Sequence, residues 1–136
     1  MTQPDLTAGL VGVLGLEFEV TGPDEVVISW TVGPQHHQPF GIVHGGVYCA
    51  VVETAASVAG SLWLGDRGLV VGVSNQTDFL RAVRSGRLTA RATPVHRGRL
   101  QQLWLVEITD EERRLVARGQ VRLQNIAEVD RPGTSG

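Results

Sequence analysis

The chain has 136 residues, of which 42% are hydrophobic and 19% are charged, and its formal net charge at pH 7 is −2. This composition is typical of a single globular domain with its own core, and it offers no excess of basic charge for binding nucleic acid. Cys49 is the only cysteine, which excludes an intramolecular disulfide and a metal site built from cysteines. The first residues lack the positive charge and apolar stretch of a signal peptide, so we expect a cytoplasmic protein.

The first half of the chain predicts a short helix, two strands, a loop and one long helix. Residues 6–14 form a short apolar segment interrupted by glycine, and residues 15–20 and 26–32 read as strands joined by a turn. Residues 33–43 contain prolines and histidines and predict a loop. Residues 45–64 are long and apolar enough to span a membrane. Because this run contains a carboxylate and serines, and strand patterns follow it, we expect a buried central helix and no membrane span.

The second half of the chain predicts four strands, at residues 69–79, 87–95, 100–109 and 117–124. In the second and the fourth, apolar and polar side chains alternate, as expected when one face of a strand lies on a core. A tight link at residues 96–99 and a polar hairpin at 110–113 connect the last three strands. From residue 126 onward the sequence becomes rich in Pro, Gly and Ser. We therefore expect one domain over residues 1–136, ordered from about 10 to 125, with a flexible tail over 127–136.

The predicted order of elements indicates an α+β domain. One antiparallel sheet can bury one of its faces against the long helix. A helix that is apolar nearly all round needs cover on more sides than one sheet supplies. We therefore expect a second subunit to cover the remainder, which makes the protein at least a dimer.

Glu53 is the only charged residue in the long apolar run at residues 45–64. Burying a carboxylate among aliphatic side chains costs on the order of several kcal/mol unless specific partners compensate. The same run begins at His44-Gly45-Gly46, and a helix that starts at two glycines presents bare backbone N–H donors. A helix N-terminus that attracts partial negative charge, together with one buried carboxylate, predicts a site for attack on a carbonyl group.

Three segments carry a resemblance to a known family. They are Q-P-F-G-I-V-H-G-G-V-Y-C-A-V-V-E-T-A-A-S at 38–57, V-V-G-V-S-N-Q-T-D-F-L-R at 70–81 and H-R-G-R at 96–99. The chain resembles the hotdog-fold acyl-CoA thioesterases, most closely the phenylacetate-pathway, 4-hydroxybenzoyl-CoA and enterobactin-proofreading branch. The resemblance implies one antiparallel sheet of about six strands wrapped around a long central helix. It also implies a homodimer as the minimal unit, a homotetramer as the expected assembly, and an acyl-CoA or acyl-carrier-protein substrate.

The resemblance assigns roles to individual positions. Glu53 matches the catalytic carboxylate, which acts either as a general base on water or as a nucleophile that forms a mixed anhydride. The Gly45 amide matches the donor that polarises the thioester carbonyl, Gln38 the amide that orients the carbonyl or water, and Ser57 the hydroxyl one turn beyond the acid. The expected substrate-binding residues are His44, Gly46, Asn75, Thr77, Phe79, Arg97 and Arg99. Coenzyme A is part of the substrate, and neither a metal nor another cofactor is expected.

One departure from the family leaves the acyl preference open. Some relatives in the enterobactin branch have a histidine in the strand around Phe79, and this stretch of the chain has none. The sequence also leaves open whether the thioester is carried by coenzyme A or by a carrier protein. A non-catalytic acyl-CoA-binding protein is the alternative to a hydrolase. A hydratase is disfavoured because no histidine stands five residues after an aspartate.

Several of these residues have simpler structural explanations. Glu53 could form a structural ion pair with an arginine such as Arg81, and Ser57 could bond back to its own helix. Gln38 could be an ordinary loop residue, and His44 could cap the helix rather than contact substrate. The arginines of the link at 96–99 could be solvated turn charges. The loop histidines have no carboxylate or cysteine at ligand spacing, which disfavours a metal site.

The spacing of Gly45 and Glu53 limits where they can act together. Eight residues span roughly 12 Å along a helix, so the two cannot reach one carbonyl carbon from the same chain. Two copies of the helix, antiparallel across a twofold axis, would bring each Glu53 near the other subunit's Gly45. We therefore expect a site that is complete only in the dimer.

Overall fold

The computed structural model describes residues 4–127. In that part of the chain, two α-helices and six strands follow one another: α1 Leu10–Leu14, β1 Glu17–Thr21, β2 Val26–Thr31, α2 Gly45–Leu64, β3 Gly68–Phe79, β4 Arg87–Arg97, β5 Gln101–Thr109 and β6 Leu115–Ala127. A short 3-10 turn at Pro34–His36 precedes α2, and another at Gly65–Arg67 follows it.

The six strands form one antiparallel sheet in the order β1-β2-β4-β5-β6-β3. Helix α2 lies across one face of this sheet and packs against every strand from β2 to β6. The predicted α+β domain, with one sheet of six strands around a long central helix, is thereby confirmed. Within residues 4–127, β1 and β3 are the edge strands, and β3 has a neighbour only on its β6 side.

Several element boundaries differ from the prediction by one to four residues, and three of them have a clear cause. Helix α1 begins four residues later than expected and closes at Gly15, which has a left-handed φ of 66°. Strand β4 continues to Arg97 because that residue still pairs with the start of β5, so the predicted link is shorter. Strand β6 continues to Ala127, which pairs with Gly68, so the first residue of the predicted tail over 127–136 belongs to the strand. The rest of that predicted tail, residues 128–136, lies outside the described residues.

The core lies between α2 and the inner face of the sheet. Alternate residues of β4 are fully buried there, as the pattern of the sequence predicts, and Trp30 and Trp104 are the largest buried side chains. Small side chains on α2 let the helix approach the strands closely. The fully buried residues of α2 are Val51, Val52, Ala55, Ala56 and Ala59.

Helix α2 is only partly covered by its own chain. The segment Gly45–Arg67 is the one helix among the described residues that is long and apolar enough to cross a membrane, with a mean hydropathy of 1.4 over its most apolar window. Half of that window, 50%, is buried against the sheet. The segment therefore packs on the sheet as the central helix that the sequence predicts. Elsewhere on this helix Glu53 and Ser57 are half-buried and Leu62 is exposed, so α2 keeps accessible surface that we expected a second subunit to cover.

His36 is fully buried and ties α1 to the loop before α2. Its Nδ1 accepts a hydrogen bond from the Gly33 amide at 2.9 Å, and its Nε2 donates to the Leu14 carbonyl at 2.7 Å. Its own backbone carbonyl accepts from the His44 amide at 2.8 Å. Both ring nitrogens are therefore occupied, so His36 serves to fix the loop that leads into α2.

Candidate active site

The N-terminus of α2 presents one unoccupied backbone donor. His44 is the N-cap, and its Nδ1 accepts a hydrogen bond from the Gly46 amide at 2.7 Å. The Val47 amide donates to the His44 carbonyl at 2.9 Å. The Gly45 amide donates to no acceptor among residues 4–127. His44 thus caps the helix, and the Gly46 amide is occupied by its hydrogen bond to this cap. The Gly45 N–H remains available at the positive end of the helix dipole.

Phe79 at the end of β3 lies directly against Gly45. A Cβ added at Gly45 would stand 2.6 Å from Cε2 of the Phe79 ring, so only glycine fits beside this ring as it stands. Phe79 is 55% exposed although it is large and apolar. The ring of Tyr48, one turn along the helix, is 6.0 Å from it between centroids. Burial raises the pKa of the Tyr48 phenol to about 12, so this residue stays protonated at neutral pH.

The Glu53 carboxylate is half-buried and accepts hydrogen bonds on both of its oxygens. The Ser57 hydroxyl donates to Oε2 at 3.3 Å, and the Asn75 amide nitrogen donates to Oε1 at 3.2 Å. Within the described part of the chain, no arginine or histidine forms a salt bridge with Glu53. The alternative of a structural ion pair with Arg81 is therefore not realised, and Ser57 bonds to the acid rather than back to its helix.

Asn75 and Thr77 on β3 extend the hydrogen bonds around Glu53. The Asn75 amide nitrogen also donates to the Cys49 carbonyl at 3.1 Å, and the Thr77 hydroxyl donates to the Asn75 amide oxygen at 2.7 Å. Both residues were predicted to bind substrate. In the structure Asn75 contacts Glu53 and Cys49, and Thr77 contacts Asn75.

Gly72 on β3 is a site residue that the sequence-based reasoning missed. A Cβ at this position would overlap Oε2 of Glu53, so glycine leaves the space that the carboxylate occupies. A signal was available, because a single glycine inside a run of β-branched residues, here Val70-Val71-Gly72-Val73, often marks the close approach of another group.

Gln38 lies in the loop before α2 and helps to hold that loop closed. Its side-chain oxygen accepts a hydrogen bond from the Phe40 amide. Its backbone amide donates to the Ile42 carbonyl at 2.8 Å, and its backbone carbonyl accepts from the Gly41 amide at 2.9 Å. No hydrogen bond joins Gln38 to Glu53 within the described residues, so its predicted role toward the carbonyl or water stays a prediction.

Arg97 and Arg99, both predicted to bind substrate, have different surroundings. Arg97 donates to the Asp24 carboxylate at 2.6 Å and to the Pro23 carbonyl at 3.1 Å. Its guanidinium also lies 5.7 Å from the ring centroid of Trp63. These contacts tie Arg97 to the hairpin between β1 and β2.

Arg99 is exposed and lines a cleft of about 440 Å³. The other residues of this cleft are His96, Gly98, Leu100, Gln101 and Gln124. No salt bridge involves Arg99 among residues 4–127. Of the two arginines, Arg99 is thus the one that can receive an anionic ligand. Within the same residues, no three His, Cys, Asp or Glu side chains come together as a metal site.

Comparison with known proteins gives a family and close relatives. Residues 40–117 match the model of the thioesterase superfamily. The Mycobacterium tuberculosis protein Rv1847, named as a candidate esterase, is 55% identical over 116 residues, which cover 83% of each chain. The S. sahachiroi protein AziG has a structure that superposes with a TM-score of 0.86 at 56% identity, covering 88% of this chain and 98% of that one. The 1,4-dihydroxy-2-naphthoyl-CoA hydrolase of Escherichia coli K12 is 37% identical over 106 residues, or 78% of each chain.

The chain therefore belongs to the thioesterase superfamily, and its fold is the hotdog fold. It is accordingly a hydrolase that acts on thioesters. This confirms the family resemblance on which the roles of the candidate residues rest.

Proposed function

We propose that the protein hydrolyses acyl-CoA thioesters at a site shared by two subunits, with Glu53 of one subunit and the Gly45 amide of the other. The observation that carries this proposal is the Glu53 carboxylate itself, which is held by Ser57 and Asn75 and carries no counter-charge among the described residues. A carboxylate arranged in this way is suited to act as a base or nucleophile rather than to stabilise the fold through an ion pair.

The free edge of β3 supports the shared site. This strand runs from Gly68 to Phe79 with no neighbour on one side, and it exposes the apolar side chains of Val71 and Val73. A long unpaired edge of this kind is a template for pairing with another chain. Pairing of two β3 strands across a twofold axis would continue the sheet and bring the two α2 helices side by side. The partly covered side of α2, including Glu53, would then face the partner's helix.

The proposed reaction uses one donor and one carboxylate. The thioester carbonyl oxygen accepts a hydrogen bond from the Gly45 amide, where the helix dipole stabilises the charge that develops on that oxygen. In the first route, Glu53 takes a proton from water, the water oxygen attacks the carbonyl carbon, and the carbon–sulfur bond breaks. The departing thiolate then takes the proton from Glu53. In the second route, a Glu53 oxygen attacks, the thiolate leaves, and water cleaves the resulting mixed anhydride.

The cleft at Arg99 supports coenzyme A, rather than a carrier protein, as the thiol part of the substrate. A guanidinium binds phosphate oxygens through parallel hydrogen bonds, and Arg99 has no carboxylate partner among the described residues. A cleft of about 440 Å³ is large enough to receive part of a nucleotide. Since one of the relatives is named as a hydrolase of an aromatic acyl-CoA, aromatic acyl groups are the first to test. The proposal also includes a cytoplasmic location and a homotetramer made of two such dimers.

The direct test is hydrolysis of a panel of aromatic and aliphatic acyl-CoA thioesters by the wild-type protein, with the released thiol detected. Release of free coenzyme A at a rate that scales with enzyme concentration is expected for at least one class of acyl group. Tight binding of acyl-CoA without thiol release would instead identify a non-catalytic binding protein.

Replacement of Arg99 tests whether this residue binds the phosphates of coenzyme A. We expect Arg99→Ala to raise KM for acyl-CoA roughly 10-fold, the effect of one hydrogen bond to a charged group, with kcat nearly unchanged. The same acyl group on pantetheine lacks the nucleotide phosphates, and its KM should not change. Arg91→Ala is the matched control, because Arg91 is an exposed arginine on β4, the strand that leads to the Arg99 link, and it pairs with Glu25. Equal effects of Arg99→Ala on both substrates would contradict a phosphate-binding role.

A further inference from the structure

The orientation of the Asn75 amide is fixed by its neighbours. The carbonyl of Cys49, 3.1 Å from Nδ2, can only accept a hydrogen bond, and so can an ionised Glu53 carboxylate at 3.2 Å. Turning the amide over would set its oxygen against both of these acceptors. The Thr77 hydroxyl, which donates to Oδ1 at 2.7 Å, holds the amide oxygen on the opposite side. The amide therefore presents N–H, and not oxygen, to Glu53.

A bulge in β3 brings these groups to Glu53. In a regular strand, residues three apart point to opposite faces, so Gly72 and Asn75 could not both face α2. The pairing of β3 with β6 shifts by one residue between Gly72 and Ser74. This shift lets Gly72 lie under the carboxylate while Asn75 reaches it from the same side of the sheet. Thr77, two residues beyond Asn75, shares its face.

Gly119 on β6 leaves room for the outer member of this chain of hydrogen bonds. It pairs with Thr77 across the two strands, and a Cβ at Gly119 would lie 2.6 Å from the Thr77 hydroxyl oxygen. A side chain at position 119 would thus displace the hydroxyl that holds Asn75. The bulge and this glycine both contribute to the same local arrangement, and the glycine also leaves room for the Val52 side chain of α2.

We propose that Thr77 and Asn75 form a relay of hydrogen bonds that positions the Glu53 carboxylate for catalysis, and that neither residue binds substrate directly. The inference rests on the proposed function in that it takes Glu53 as the catalytic carboxylate. Thr77 fixes the Asn75 amide, and Asn75 fixes Oε1 of Glu53 while Ser57 holds Oε2. The carboxylate keeps one orientation with a lone pair on each oxygen free for water or for the acyl carbon.

Kinetics of variants at both positions test the relay. Asn75→Leu, which keeps the branched shape of the side chain but has no amide, should lower kcat roughly 10–100-fold, the range expected for losing one hydrogen bond to a charged group, with KM within about twofold of wild type. Thr77→Val keeps the shape of the side chain without its hydroxyl and should lower kcat less, about 5–10-fold, since the amide can then turn over. Thr77→Ser restores the hydroxyl and should recover most of the activity. Thr54→Val is the matched control, because Thr54 adjoins Glu53 but donates to the Ala50 carbonyl.

The outcomes separate the relay from its alternatives. A rise in KM with kcat unchanged in Asn75→Leu would show a substrate contact and overturn the relay, and so would Thr77→Ser as slow as Thr77→Val. Should Asn75→Leu fail to fold, the valine and serine variants of Thr77 decide the question alone. Glu53→Gln, assayed in parallel, tests the proposed function itself. If Glu53→Gln stays active, Glu53 has no catalytic role. Crystal structures of the variants still test whether Asn75 positions the carboxylate. In Asn75→Leu the Glu53 carboxylate should leave its place over Gly72, and in Thr54→Val it should keep that place.

Discussion

Replacing Glu53 by alanine should lower kcat on the order of 10³-fold or more, because loss of a positioned base or nucleophile removes most of the acceleration that it supplies. The protein should stay folded and oligomeric. Glu53 is only half-buried, and it accepts hydrogen bonds from Ser57 and Asn75. Because both of these residues are also only half-buried, water can replace the carboxylate as their hydrogen-bond acceptor. Steady-state release of free coenzyme A measures the effect, and thermal unfolding checks the fold. Glu53→Asp keeps a carboxylate and should be milder.

A second acidic residue provides the control for Glu53→Ala. Glu107 lies exposed on β5, opposite Arg118 of β6, and it points to the face of the sheet that does not carry α2. Glu107→Ala should leave turnover within about twofold of wild type, as is usual for a surface substitution. Turnover near the wild-type value in Glu53→Ala would remove Glu53 from the mechanism.

Replacing Gly45 by valine should lower kcat/KM by at least about 10²-fold, which is the loss typical of one missing hydrogen-bond donor to the developing oxyanion. The branched side chain would stand between the thioester and the backbone amide. It would also meet the Phe79 ring, because even a Cβ at this position lies 2.6 Å from Cε2 of that ring. Measurement of kcat/KM, together with thermal unfolding, gives the size of the loss and shows whether the variant folds.

A double variant separates the two reasons for a glycine at position 45. Phe79→Ala removes the ring that the valine would strike, and it provides the reference activity by itself. If Gly45→Val is inactive because its side chain covers the amide, the double variant with Phe79→Ala stays inactive relative to Phe79→Ala. Recovery of activity in the double variant would mean that glycine is needed only to accommodate the phenyl ring, and the Gly45 amide would lose its assigned role.

The sequence was sufficient to predict the fold, and it singled out two residues of the candidate site. The long apolar run predicted helix α2 to within its observed ends, Gly45 and Leu64, because few other structures bury twenty such residues in succession. Alternation predicted β4 and β6 because it depends only on neighbours in the chain. Glu53 and Gly45 were predicted because each is unusual in its local setting, a charge in an apolar run and a glycine at a helix start.

What the sequence could not show depends on pairs of residues far apart in the chain. The support of Glu53 by Asn75 joins residues 22 positions apart, and it requires a bulge whose position is set by the pairing of β3 with β6. Arg97 was predicted to bind substrate, and its pairing with Asp24 spans 73 positions. Local patterns carry no information about such distant partners, so these contacts became visible only once the sheet order was known.

Each active site is proposed to combine Glu53 of one subunit with Gly45 of the other. Mixing two inactive variants tests this arrangement. Glu53→Ala and Gly45→Val each leave a dimer with no complete site. In a mixed dimer the twofold axis would place both lesions in one site and leave the other with an intact Glu53 and an intact Gly45.

Subunits exchanged by partial unfolding should therefore regain activity. Random association makes half of the dimers mixed, each with one working site of two, so the recovered activity should be about a quarter of wild type. Each variant taken alone through the same unfolding and refolding should stay inactive. The recovered activity should rise in proportion to the amount of mixed dimer detected by mass spectrometry. Mixed dimers that form in the expected amount and show no activity would contradict the shared site.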